Sequence, residues 1–112
     1  MGSYADDALF MSRNNIEYVE LISDDGKSKV MVIPAWQGRV MTTSAAGDEG
    51  DSYGWINYSF IKKRQIDLQF NPVGGEERFW LGPEGGVFSL YFRQGEKQIY
   101  KNWKVPPVLD IE

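Results

Sequence analysis

IEYVELISDDGKSKVMVI, the stretch from Ile16 to Ile33, decides the fold. Ile16 to Ile22 is rich in β-branched and aromatic residues, Asp24-Asp25-Gly26 supplies turn chemistry, and Lys29 to Ile33 resumes an apolar run. Two such runs around an Asp-Gly turn predict an antiparallel hairpin. Pro34 has no N–H to give to a ladder and closes the second strand, Gly38 permits a bend, and Arg39 to Ser44 (RVMTTS) predicts a third strand.

Working outward, Ala5 to Arg13 (ADDALFMSR) predicts a short helix with Asp6 as N-cap, an apolar patch at Leu9 and Phe10, and an end near Asn14-Asn15. Ala46 to Ser52 (AGDEGDS) is an acidic, glycine-bearing loop, and Tyr53 to Asn57 (YGWIN) an extended aromatic segment. Tyr58 to Arg64 is expected to form one helical turn. Ile66 to Phe70 (IDLQF) alternates apolar and polar residues, as does Val87 to Arg93 (VFSLYFR), where Phe88, Leu90 and Phe92 share a face. A turn at Gln94-Gly95-Glu96-Lys97 leading into Gln98 to Trp103 predicts a second hairpin. Asn71 to Gly86, rich in Gly and Pro around Phe79-Trp80-Leu81, reads as a structured loop, and Pro106 to Glu112 as an extended end. The reading is an all-β, antiparallel β-sandwich with a short N-terminal helix, residues 1–112 forming one unit.

Composition supports a folded chain and removes several functions. With 112 residues, 42% hydrophobic and 14% aromatic, the chain can bury roughly 65% of its unfolded surface, and it is too apolar to be disordered. Net charge is −4, and basic residues cluster only at Lys62, Lys63 and Arg64, so no basic face is available for nucleic acid. No apolar run approaches the ~20 residues that span a bilayer, and a soluble chain with no membrane partner is expected. The Met1-Gly2-Ser3 start carries no apolar signal core, and a periplasmic or secreted origin after signal removal stays compatible with it. The absence of Cys and His removes disulfides, thiol nucleophiles, Ser-His-Asp triads, HExxH zinc helices and imidazole acid–base chemistry from this sequence. No cofactor is expected.

Four stretches carry a family resemblance: Trp36 to Asp48 (WQGRVMTTSAAGD), Tyr53 to Asn57 (YGWIN), Gly74 to Gly86 (GGEERFWLGPEGG) and Phe88 to Phe92 (FSLYF). Together with Tyr4 to Ile33 they resemble the N-terminal part of an uncharacterised bacterial family of galactose-mutarotase-like proteins. The resemblance implies an antiparallel supersandwich longer than this chain, sugar binding on the open face of a large sheet, and a histidine and a carboxylate as acid and base. With no histidine, none of the mutarotase acid groups can be carried onto this sequence. What remains implied is a carbohydrate-handling segment, with the C-terminal part of the sandwich, or a second copy, as partner. Two alternatives stand beside it: a structural or interaction module pairing through exposed strands, and a sugar-binding module with no catalytic role.

The candidate residues sit in and near the glycine-rich loop. Trp80 offers an aromatic face for a pyranose and Arg78 a planar group for bidentate hydrogen bonds to hydroxyls; the competing role of Trp80 is a core anchor, with Arg78 paired to a carboxylate. Glu76 or Glu77 with Glu84 would form an acid–base pair if brought together, and solvated loop carboxylates otherwise. Arg39, at the start of a strand, can reach the same face or hold a structural salt bridge. Asp48, Glu49 and Asp51 miss the spacing of a calcium loop, and no metal site is expected. Gly74-Gly75 and Gly85-Gly86 serve tight turns, lacking the order of a phosphate cradle. Trp36, Trp55 and Trp103 are expected to pack in the core and at sheet edges.

Overall fold

Chain entry is set by a capped helix, α1, Tyr4–Arg13. In the computed structural model, which describes residues 2–104, the cap is Ser3 and not Asp6. Ser3 Oγ accepts the Asp6 amide at 3.2 Å, and the Asp6 carboxylate accepts the Ser3 amide at 3.3 Å. This is a capping box with Asp in the place of Glu, and the sequence S-Y-A-D carried it. The next orphan amides, Tyr4 and Ala5, are taken by the carbonyls of Gly50 and Asp48 at 2.9 Å, so the acidic loop docks the helix start. At the other end Asn14 Nδ2 donates to the Phe10 carbonyl at 2.8 Å.

The sheet has the order β1-β2-β3, antiparallel throughout, with β1 Val19–Ile22, β2 Lys29–Ile33 and β3 Arg39–Ser44. The hairpin forms as the sequence predicts. Its first strand begins only at Val19, because Asn15 turns left-handed (φ 58°) and the Ile16 amide bonds back to the Met11 carbonyl at 3.0 Å. Helix termination consumes residues that a strand reading assigned to β1. The turn rests on Asp25, whose carboxylate accepts Ser23 Oγ and the Lys27 amide, and on Gly26 at φ 74°. Between β2 and β3 the register slips, pairing Met31 with Thr42 but Val32 with Val40. The extra residue, Met41, is buried.

Register explains the two faces. Met31, Ile33, Arg39, Thr42 and Ser44 share one face and are all buried. Against it pack Tyr4, Phe10 and Met11 of α1, joined by Ile56, Val73 and Ile61 of a second helix, α2, Tyr58–Lys63. The opposite face carries Val19, Leu21, Val30, Val32 and Val40, of which Val19 and Leu21 are exposed.

A polar chain crosses the core. The Gly54 amide donates to Thr42 Oγ1 at 2.9 Å, Thr42 and Ser52 hydroxyls lie 2.5 Å apart, and Ser52 and Tyr58 hydroxyls both donate to buried Asp7. Because Ser52 spends its one proton on Asp7, Thr42 must donate to Ser52. The chain therefore runs in one direction from the backbone to the carboxylate, and every buried group in it is satisfied.

Beyond α2 the structure departs from the sequence reading. Ile66 to Phe70 is not a strand: the Asn71 side chain bonds both the Asp67 amide and carbonyl, and Asp67 in turn accepts the Gln69 and Phe70 amides. Local Asx hydrogen bonding takes the backbone groups a ladder would need, and Leu68 is left 84% exposed. The predicted hairpin from Val87 to Trp103 is also absent. Tyr91 and Phe92, adjacent in sequence, are both buried while Phe88 is exposed, and the segment ends in a 3-10 turn, Tyr100–Asn102. Aromatic stacking organises it: Tyr91 lies 4.4 Å from Trp103 and 4.6 Å from Trp80, with Phe92 edge-on to Trp103. Among the described residues one antiparallel sheet forms, with two short helices; the end expected from Pro106 onward lies outside them. No helix among the described residues is long and apolar enough to cross a membrane.

Burial pushes the pKa of the Tyr58 phenol up, reinforced by Asp7, and burial likewise pushes up that of Tyr4, reinforced by Glu20. Unfolding above pH ~10 therefore releases protons that the folded state retains. Stability is full below that pH and falls as pH rises above it. Tyr58→Phe is expected to cost about 1–3 kcal/mol at pH 7, by removing a donor from buried Asp7, and to flatten the alkaline fall. Urea unfolding from pH 7 to 11 measures both.

Candidate functional site

The site is built where residues 72–79 are strapped across the ends of β3 and the 53–57 segment. One side of the strap pairs with β3: the Val40 amide donates to the Glu77 carbonyl, and the Glu76 amide to the Val40 carbonyl, each at 2.9 Å. The other side pairs with the aromatic segment, the Gly75 amide bonding the Trp55 carbonyl at 2.7 Å and the Asn57 amide the Val73 carbonyl at 2.9 Å. Glycine is required at this crossing. Gly74 adopts φ 95°, and a Cβ there would lie 2.1 Å from the Trp55 carbonyl oxygen.

Between strap and segment opens a cleft of about 490 Å³, lined by Arg39, Trp55, Asn71, Glu76, Glu77, Arg78 and Trp80 among others. Its volume lies within the usual range of small-molecule sites. Two arginines face two glutamates, so the lining is formally neutral.

Arg39 is only 5% exposed. Its guanidinium donates to the Gly74 carbonyl at 2.6 Å and to Gln37 Oε1 at 3.3 Å, and its methylene stem lies so close to Gly75 that a Cβ there would meet it at 2.9 Å. Gln37, left-handed at φ 62°, extends the brace by donating to the Phe79 carbonyl and accepting the Phe79 amide on its own carbonyl. Arg39 thus holds the strap from beneath, through the Gly74 carbonyl and the Gln37 side chain. Glu76 accepts Thr43 Oγ1 at 2.9 Å and Glu77 accepts the Arg78 amide at 3.2 Å, so both carboxylates are oriented at the rim.

Trp80 takes the anchor role that the sequence offered it beside the binding one, and Trp55 departs from the packing role expected of it. Trp80 is half-buried: the Arg78 guanidinium sits 4.5 Å over its ring, Tyr91 stacks at 4.6 Å and Trp103 at 5.8 Å. It is an anchor that shows the cleft part of its surface. Trp55, expected in the core, is 63% exposed. Its backbone is pinned by the strap while its indole stands at the cleft wall. The signal for it was Gly54, beside it, where a Cβ would lie 2.1 Å from the Met41 carbonyl oxygen; a segment whose backbone must ride directly over a strand has to turn its large side chains elsewhere.

Glu84 lies outside the cleft lining. Its carboxylate accepts Ser89 Oγ and the Gly85 and Phe92 amides, and its carbonyl accepts Gln98 Nε2 at 2.6 Å. It organises the 84–98 loop and makes no pair with Glu76 or Glu77. Of the predicted site residues, the structure brings Arg39, Glu76, Glu77, Arg78 and Trp80 together, and it adds Trp55. Asp48 ion-pairs with Lys29 at 2.5 Å.

Gly74→Ala is expected to destabilise the fold by more than ~1 kcal/mol, because alanine is strained at this φ and collides with the Trp55 carbonyl. Chemical denaturation reads the loss, and Trp55 fluorescence its release from the wall.

A family described as "Family of unknown function (DUF6786)" matches residues 2–112. No curated protein and no solved structure matches the chain.

Proposed function

We propose, for a chain that belongs to DUF6786, a family of unknown function, the role of a carbohydrate-binding segment. In this reading the three-stranded sheet is part of a galactose-mutarotase-like sandwich. The observation that carries it is Trp55: a large indole, 63% exposed, on a backbone held by hydrogen bonds, overlooking a cleft of balanced charge. A flat apolar surface stacks on the C–H face of a pyranose, while oriented carboxylates and a guanidinium bond its hydroxyls. Equal numbers of acidic and basic groups favour a neutral, hydroxyl-rich ligand over an ion. The chemistry supported is binding. Glu84 is committed elsewhere and the sequence holds no imidazole, so no acid–base pair is assigned.

The test is titration of the chain with a panel of hexoses and uronic acids, followed by heteronuclear NMR. Trp55→Ala is expected to abolish binding while changing stability by less than ~0.5 kcal/mol, as for an exposed site. Trp80→Ala is expected to cost ~3 kcal/mol or more through loss of the aromatic stack. Full binding by folded Trp55→Ala would sink the assignment.

A second reading, an interaction module, is favoured by the sheet itself. Among the described residues β1 is an edge strand, with Val19, Leu21 and Ile22 exposed, and such an edge accepts an added antiparallel strand. Leu21→Lys is then expected to abolish concentration-dependent association in sedimentation; a wild-type chain that stays monomeric at all concentrations removes this reading.

A further inference from the structure

Trp55 also lines a second hollow. This one, of about 610 Å³, is lined by Asp6, Asp7, Ser52, Tyr53 and Tyr58 as well as Trp55. Tyr53 is exposed and stands two residues from Trp55, across the bend at Gly54, and both residues line this hollow. The floor is rigid, since the Asp7 carboxylate receives both the Ser52 and Tyr58 hydroxyls. The two hollows are chemically distinct. The first pairs arginines with glutamates, whereas the charged residues lining the second are both aspartates.

We infer that the ligand is an oligosaccharide laid across Trp55, with one unit in the Arg78–Glu77 cleft and the next against Tyr53 in the Asp6–Asp7 hollow. The inference rests on the carbohydrate reading above and adds to it a chain length and a polarity. Trp55 lines both hollows, and a single monosaccharide in one of them would leave the other unused. Two exposed aromatic residues along one segment suit successive units of a chain. The unit in the second hollow is neutral or amino-bearing: a uronate there would meet two carboxylates and no cation of the lining, and like charges at such a site repel.

The experiment is an affinity ladder with neutral gluco-, xylo-, galacto- and amino-sugar oligomers of one to four units, and uronic acid oligomers beside them. For the series that binds, affinity is expected to rise at least ten-fold from one unit to three. Tyr53→Ala is expected to bring the trimer to within three-fold of the monomer while leaving monomer affinity unchanged. As a check that needs no variant, amides of residues 2–7 and 52–54 of the wild-type chain are expected to shift with the trimer and not with the monomer. Binding that depends on Trp55 but is flat with length overturns this inference and leaves the carbohydrate reading standing. A ladder unaffected by Tyr53→Ala, trimer-independent shifts at 2–7, or preferred binding of uronic acid oligomers overturns the placement in the second hollow. No binding at any length overturns the carbohydrate reading and this inference together.

Discussion

Two backbone crossings, at Gly54 and Gly74, hold the rest of the structure in place. At the first, the 53–57 segment passes over β3 so closely that no Cβ fits beneath the Met41 carbonyl; at the second, the strap passes over that segment with the same clearance to the Trp55 carbonyl. β3, the 53–57 segment and the strap thereby meet backbone to backbone. Such contact satisfies backbone donors and acceptors mutually, which a buried loop must do in some way, and it leaves Ile56 to pack inward while Tyr53 and Trp55 stay outside. The exposure of Trp55 and Tyr53 follows from the crossings.

The buried polar chain from Gly54 through Thr42 and Ser52 to Asp7 ties the same region to α1 and, through Tyr58, to α2. It is the polar counterpart of the apolar cluster around Met31, Ile33 and Met41. Apolar packing alone would tolerate sliding of helix on sheet, since volume-conserving rearrangements cost little. A carboxylate receiving two hydroxyls from different elements does not, because any slip leaves a desolvated charge short of donors. The helix is placed by burial and registered by Asp7.

How much of this could be read in advance depended on whether the governing interactions were local. The hairpin from Val19 to Ile33, the strand from Arg39 and the turn of helix at Tyr58 rest on periodicity and turn chemistry within a few residues, and all are present. Ile66 to Phe70 has the same alternation, but one residue beyond it Asn71 offers a stronger local alternative to the ladder. Trp80 and Arg78 were legible as a pair because they are near in sequence, and they do touch. Trp55 was not, because its position is fixed by carbonyls at Met41 and by a strap some twenty residues later. Glu84 was drawn toward the cleft by its place in the same glycine-rich stretch, whereas its partners lie at Ser89 and Phe92.

The separation of the indoles into three environments, Trp36 being packed against the core, also gives the molecule an optical signature. Trp80 and Trp103 lie 5.8 Å apart with Tyr91 stacked on both, close enough for their excited states to couple. Trp55, on the cleft wall, faces water. The stack is suited to near-ultraviolet circular dichroism and Trp55 to red-edge emission, so the aromatic hub of the C-terminal loops and the wall of the cleft can be followed separately in one unlabelled sample.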